Sequence, residues 1–209
     1  MTRIRSALLP SLVWLALTTL SSSAQTPGPV ASASPHLHFT DPATGVSFDY
    51  PSVWKKVMRS DGFSPPEAFT PDDHLVVMVQ FTGAENFYRH TDLEALDFLF
   101  LTAKETSAAA CEKRVTGLND DEHPLPPPQT INSVRFWHAT GGEGSAGHSI
   151  DYEVYGTYRG GLCYLFEEDF TEASAGMIDG SRPLTKTERA ALQRHLDAII
   201  RTVRFTSKP

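Results

Sequence analysis

The stretch HFTDPATGVSFDYPSVWKKV, His38 to Val57, holds two strand patterns around a turn. His36–Thr40 and Val46–Tyr50 alternate apolar and polar residues, and DPATG between them supplies turn chemistry. Pro51 has no N–H to give a continuing ladder, so the second strand ends there. Tyr50 and Trp54 follow as aromatic packing anchors. A ring near a strand end is expected to bury its face and bond its polar tip.

Working outward, LVVMVQF (75–81) is a run of strand formers. Leu75, Val77, Val79 and Phe81 share one face and Val76 and Met78 the other, which predicts a central strand. Thr91 and Glu94 form a T-x-x-E capping box. Leu93, Leu96, Leu99, Phe100 and Ala103 continue as a helical stripe, predicting a helix from Thr91 towards Cys111. Cys111 falls five helical turns after Leu93, on the core side. NDDEHPLPPPQ (119–129) reads as a loop with a stiff proline connector; a ligand for a proline-recognition domain is the less economical reading.

Three strands are predicted next: Val134–Thr140, closed by the Gly-rich GGEGSAG, then Ile150–Tyr158 and Leu162–Phe170. With Gly160 and Gly161 as a two-residue hairpin loop, Tyr158 faces Cys163, Val154 faces Glu167 and Glu153 faces Glu168. A second T-x-x-E box, Thr185 and Glu188, opens the last helix. Leu192, Leu196, Ile199 and Val203 form its apolar face, and Arg189, Gln193, Asp197 and Arg201 its expected water face. RFTS (204–207) is read as a short closing strand.

This element order gives an α+β domain, an antiparallel sheet flanked by helices. TGVSFDYPSVW and the closing LDAIIRTVRF resemble the PsbP-like family, which includes DcrB-type bacterial envelope proteins. The resemblance implies an α/β/α sandwich and a mostly non-enzymatic accessory or partner-binding role. It supplies no catalytic motif to carry over.

The N-terminus reads as a secretory signal peptide over residues 1–24. Arg3 and Arg5 precede an apolar run, Ala7 to Leu20, and Ser22-Ser23-Ala24 offers cleavage after Ala24. The apolar run is shorter than the ~20 residues of a spanning helix, so no membrane anchor is expected after cleavage. No Cys sits at the cleavage site, so no lipoprotein anchor is expected. Residues 25–35, rich in Pro, Ser and Ala, form a flexible tether, and 36–209 a single domain. The chain carries a formal charge of −7, which argues against a nucleic-acid partner or an anionic membrane surface.

Export would place the two cysteines in an oxidising compartment. Cys163 shares a strand face with Leu165 and, in the hairpin register, with Val154 and Ile150. A helix packed on that face would bring Cys111 to Cys163. The alternative is two separate buried thiols.

Other chemistries are weaker. His36 and His38 lie on one side of a strand without a specified third metal ligand, and His148 with Asp151 is weaker still. Glu167, Glu168 and Asp169 would suit calcium, but no D-x-D-x-D-G loop is present, and alternation with screening by water is the simpler reading. There is no G-x-S-x-G elbow, and GGEGSAG lacks the Lys-Ser/Thr of a phosphate loop. No cofactor is expected. The leading expectation is a secreted or periplasmic non-catalytic domain that binds a protein or envelope component. The alternative is an envelope-acting hydrolase using acidic residues such as Glu153 and Glu168. A cleft holding two carboxylates, one with a raised pKa, would favour that alternative.

Overall fold

The computed structural model describes residues 35–58, 73–83, 88–121, 123–174 and 177–206. The expected signal peptide, the expected cleavage site after Ala24 and the expected tether up to residue 34 lie outside the described residues.

The elements run β1 (His36–Asp41), β2 (Val46–Pro51), β3 (Lys55–Val57), β4 (His74–Thr82), β5 (Leu93–Lys104), α1 (Ala108–Thr116), β6 (Gln129–Ile131), β7 (Val134–Ser145), β8 (His148–Arg159), β9 (Leu162–Ala173), α2 (Lys186–Ile200) and β10 (Arg204–Phe205). Seven strands form one antiparallel sheet in the order β3-β4-β5-β9-β8-β7-β6. The opening pair does not join it. β1 and β2 make a separate three-stranded sheet with the closing β10, which pairs Arg204 with Ser47 and Phe205 with Val46. The turn between β1 and β2 is built on Asp41, whose carboxylate accepts from the Thr44 N–H and hydroxyl, and on Gly45 in the left-handed region at φ 72°.

One helix covers each face of the large sheet. On one side α2 and the small sheet bury Phe48, Phe98, Phe100, Phe166, Leu192 and Leu196. Phe100 and Phe166 stack with centroids 4.9 Å apart. Each such ring contributes roughly 1.5–3 kcal/mol on burial. Tyr50 and Trp54 are buried in this layer, Trp54 with its ring 5.9 Å from that of Phe81. On the other side α1 covers Leu75, Leu99, Leu101, Val154 and Leu165. Arg114 anchors α1, donating to Asp73 at 2.8 Å and Glu105 at 2.7 Å.

The segment expected to open a long helix at Thr91 is the twelve-residue strand β5. Its two faces are both apolar: Leu96, Phe98 and Phe100 point to the α2 layer, Leu99, Leu101 and Ala103 to the α1 layer. A strand covered on both sides reads as a continuous apolar run, and that hides its period of two. The Thr91 hydroxyl donates to the Tyr88 carbonyl and caps no helix. The helix that carries Cys111 is only nine residues long and starts from Ser107, whose hydroxyl accepts from Ala110 N–H. Cys111 and Cys163 are nonetheless joined, with Cα atoms 5.4 Å apart, because α1 packs on the sheet face that holds Cys163.

Two smaller departures have local causes. A bulge between Leu75 and Val77 turns Leu75 to the α1 side while Val77, Val79 and Phe81 face α2. β7 runs through the Gly-rich segment to Ser145, and its turn uses Ala146 and Gly147 at φ 50° and 91°. The β8–β9 hairpin has the expected register, with Gly160 and Gly161 both at positive φ. The last helix starts at the expected box, with Thr185 and Glu188 bonded reciprocally.

Candidate functional site

Strand alternation splits the acidic run of β9. Glu167 and Asp169 share the face of Cys163 and Leu165, under α1; Glu168 shares that of Phe166 and Phe170, under α2. All three are buried, so water does not screen them as the sequence reading had it. Each keeps one carboxyl oxygen without a hydrogen-bond partner.

On the α2 face, Glu168 stands between Phe98 of β5 and Glu153 of β8. Burial and the facing Glu153 push its carboxyl well above the usual carboxylate range. Glu153 is treated in the opposite way. His138 Nε2 lies 3.1 Å and the Tyr155 hydroxyl 2.7 Å from its Oε2, and these bonds hold its pKa below the ordinary value despite partial burial. The Gln129 amide nitrogen, 3.2 Å from His138 Nδ1, is a donor only, so Nδ1 accepts and the ring proton sits on Nε2, aimed at Glu153. The His138 ring stacks on Tyr155 with centroids 4.4 Å apart.

These groups border a half-open cleft of about 800 Å³ between α2 and the β7–β8 end of the sheet. Glu153, Glu168, Asp151, Thr140, Lys186, Arg189, Ala190 and Gln193 line it, with Asp120 and His123 from the loop after α1. Arg189 and Gln193, expected to face water, turn to the sheet. Gln193 donates to Glu168 Oε2 at 3.3 Å; Arg189 pairs with Asp151 and Glu172, its guanidinium 4.1 Å from the Phe170 ring centroid. Arg201 does lie on the exposed side. A polar residue on a helix faces whatever its neighbour presents, and here the sheet presents carboxyls.

On the α1 face, Asp97 of β5 stands opposite Asp169. Burial, then Asp169, raises Asp97 to about 7 against a hydrogen bond with Gln80. Burial raises Asp169 to about 6, partly offset by its hydrogen bond with Glu167, and Glu167 is pushed well above the usual range by burial and Asp169. Burial thus disfavours the charged form all along this row. Among the described residues no three His, Cys, Asp or Glu side chains converge as a metal-binding group.

The other candidates are separate. His38 Nδ1 lies 2.6 Å from Asp49 Oδ1 at an exposed edge. His148 bonds Glu94 at 2.8 Å, and Asp151 pairs with Arg189 instead. Sequence reading missed His138, Tyr155 and Asp97. Pairing β7 with β8 puts His138 beside Tyr155; both lie inside the expected strands, but the long Gly-rich connection between them fixes no register from sequence. Asp97 was hidden by the helical reading of β5.

No family model and no curated protein sequence matches the chain. Solved structures similar to it include cyanobacterial PsbP (CyanoP) from Synechocystis sp. PCC 6803, at 13% identity and TM-score 0.43 over 88% of this chain and 99% of that one. LpqN of Mycobacterium tuberculosis, described as involved in cell envelope biogenesis, aligns at 8% identity and TM-score 0.43 over 83% and 91%. A protein from Bacteroides thetaiotaomicron aligns at 16% identity and TM-score 0.42 over 82% of this chain, which spans 48% of that protein's length. Among the described residues the fold is α+β, mostly antiparallel strand with two helices.

Proposed function

We propose that this chain is an exported domain of the cell envelope that acts by binding, and that the cleft under α2 receives its protein or envelope ligand. The observation that carries this reading is Glu168: a carboxyl with 1% exposure, bordering a cleft of about 800 Å³, with Oε1 unpartnered. A buried polar group without a partner costs about 1–3 kcal/mol, a deficit that a ligand removes. Export is supported by the Arg3/Arg5 and Ala7–Leu20 pattern and by a disulfide that persists only in an oxidising compartment. No helix among the described residues is long and apolar enough to cross a membrane.

The test blocks the cleft without disturbing its floor. Ala190 is exposed on the cleft side of α2, so Ala190→Trp fills the opening. Immobilised wild-type protein should retain a component of solubilised native envelope that the Ala190→Trp protein does not. Equal retention by both, with near-UV circular dichroism unchanged, contradicts the cleft as the binding site.

A second reading has its own observation. Glu153 and Glu168 are opposed carboxyls with pKa values pushed apart, the division of labour of an acid–base pair. In a hydrolase Glu168 would protonate a leaving oxygen and Glu153 would serve as base or nucleophile. Turnover of chromogenic glycosides, lost in Glu168→Gln, supports hydrolysis; no turnover across such a panel leaves binding as the role.

A further inference from the structure

We propose that the ligand of this cleft carries a primary ammonium group, received between Glu168 and Glu153. The inference rests on the binding reading above and names the chemistry of what binds. Glu168 Oε2 is engaged by Gln193 and Oε1 is orphaned. His138 and Tyr155 both bond Oε2 of Glu153, and Oε1 is left for the cleft. One oxygen from each of two opposed carboxyls is a poor match for the planar two-pronged guanidinium, which prefers both oxygens of one carboxylate. It suits an ammonium, a compact charge with three rotatable donors. Calcium needs six to eight oxygen ligands, and no such set converges here among the described residues.

The charges around the pair favour a cation. Glu153 and Asp197 press on Glu168 from β8 and α2, and Asp169 from the far face. Opposing them is Arg201, at a largely exposed position. Of the basic groups lining the cleft, Arg189 is already held between Asp151 and Glu172 over Phe170. Lys186 is exposed at the start of α2. His138 spends its ring proton on Glu153, and His123 bonds Asp120. An arriving ammonium replaces the proton on Glu168, so binding releases a proton and strengthens as pH rises towards the pKa of Glu168.

Isothermal titration with putrescine, and with 1,4-butanediol as its neutral counterpart, tests this on the purified oxidised protein. Putrescine should bind, with heats that differ between buffers of different ionisation enthalpy; butanediol should not. Glu168→Gln, which keeps the shape of the side chain, should weaken putrescine at least tenfold, and Glu153→Gln should do so independently. Equal affinity for the two probes, or unchanged affinity in both variants, overturns the proposal. N-acetylglucosamine oligomers separate the two readings. If they shift cleft amides in a 15N–1H spectrum and putrescine does not, the cleft still binds and the ammonium proposal falls. If neither shifts them and Ala190→Trp leaves envelope retention unchanged, both fall.

Discussion

Glu153 and Glu168 occupy one cross-strand position of the β8–β9 hairpin, yet their surroundings drive their carboxyls in opposite directions. Like charges directly opposite each other are destabilising. Here the donors from His138 and Tyr155 favour the charged form of Glu153, while burial against Phe98 disfavours that of Glu168.

Removing one donor should unbalance the pair. Tyr155→Phe takes the 2.7 Å hydroxyl bond from Glu153, so the Glu153 pKa is expected to rise. A pH titration of the Glu153 side-chain carboxyl by 13C NMR reads this directly. An unchanged midpoint would mean that His138 alone sets the charge.

Stability should fall with rising pH. A carboxyl whose pKa is higher folded than unfolded stabilises fully below its unfolded value, and that contribution is lost as pH rises through the folded value. For Asp97 the window runs from 3.8 to about 7, and Glu167 and Asp169 on the same face act in the same sense. At 1.36 kcal/mol per pKa unit the loss attributable to Asp97 across that window is on the order of 4 kcal/mol. Urea midpoints should therefore drop between pH 5 and pH 8, and Asp97→Asn should flatten the profile. A profile that rises over this range would show that the row is ionised when folded.

The disulfide closes a loop of 52 residues, for which chain entropy gives about 4 kcal/mol. Equilibrium unfolding with and without reductant should differ by about that amount, as should Cys163→Ser against wild type. Coincident curves would mean that the α1 contacts alone hold the helix to the sheet.

Gly156 lets α1 lie against β8. A Cβ built there falls 2.1 Å from Val115 Cγ2, and a β-branched side chain has little freedom to move aside. Gly156→Ala should cost about 1–3 kcal/mol by overpacking. Val115→Ala combined with it should be less destabilised than the sum of the two single changes. Strict additivity in thermal melts would contradict the contact.

What was legible in the sequence was local. Thr185 and Glu188 announced α2, and Gly160-Gly161 set the hairpin register that placed Glu153 opposite Glu168. What was illegible depended on partners distant in sequence. β5 looked helical because both of its faces are covered, one by Cys111 and Val115 of α1, the other by Leu192 and Leu196 of α2. Gln193 looked solvent-facing because nothing near it in sequence reveals that Glu168 lies beneath it. The Cys111–Cys163 pairing is legible although the helix bearing Cys111 is shorter than its sequence pattern suggests, since Cys111 faces the sheet from α1 and Cys163 lies on the face that α1 covers.

The most direct measurement is the 13C carboxyl signal of Glu168 at constant neutral pH, with and without putrescine, assigned through Glu168→Gln. In the free protein it should sit at the position of a neutral acid, and with saturating putrescine it should move to that of a carboxylate while the Asp97 signal stays in place. A Glu168 signal that stays at the neutral-acid position under saturating putrescine, or that is already a carboxylate in the free protein, would contradict a cleft built to receive a cation at Glu168.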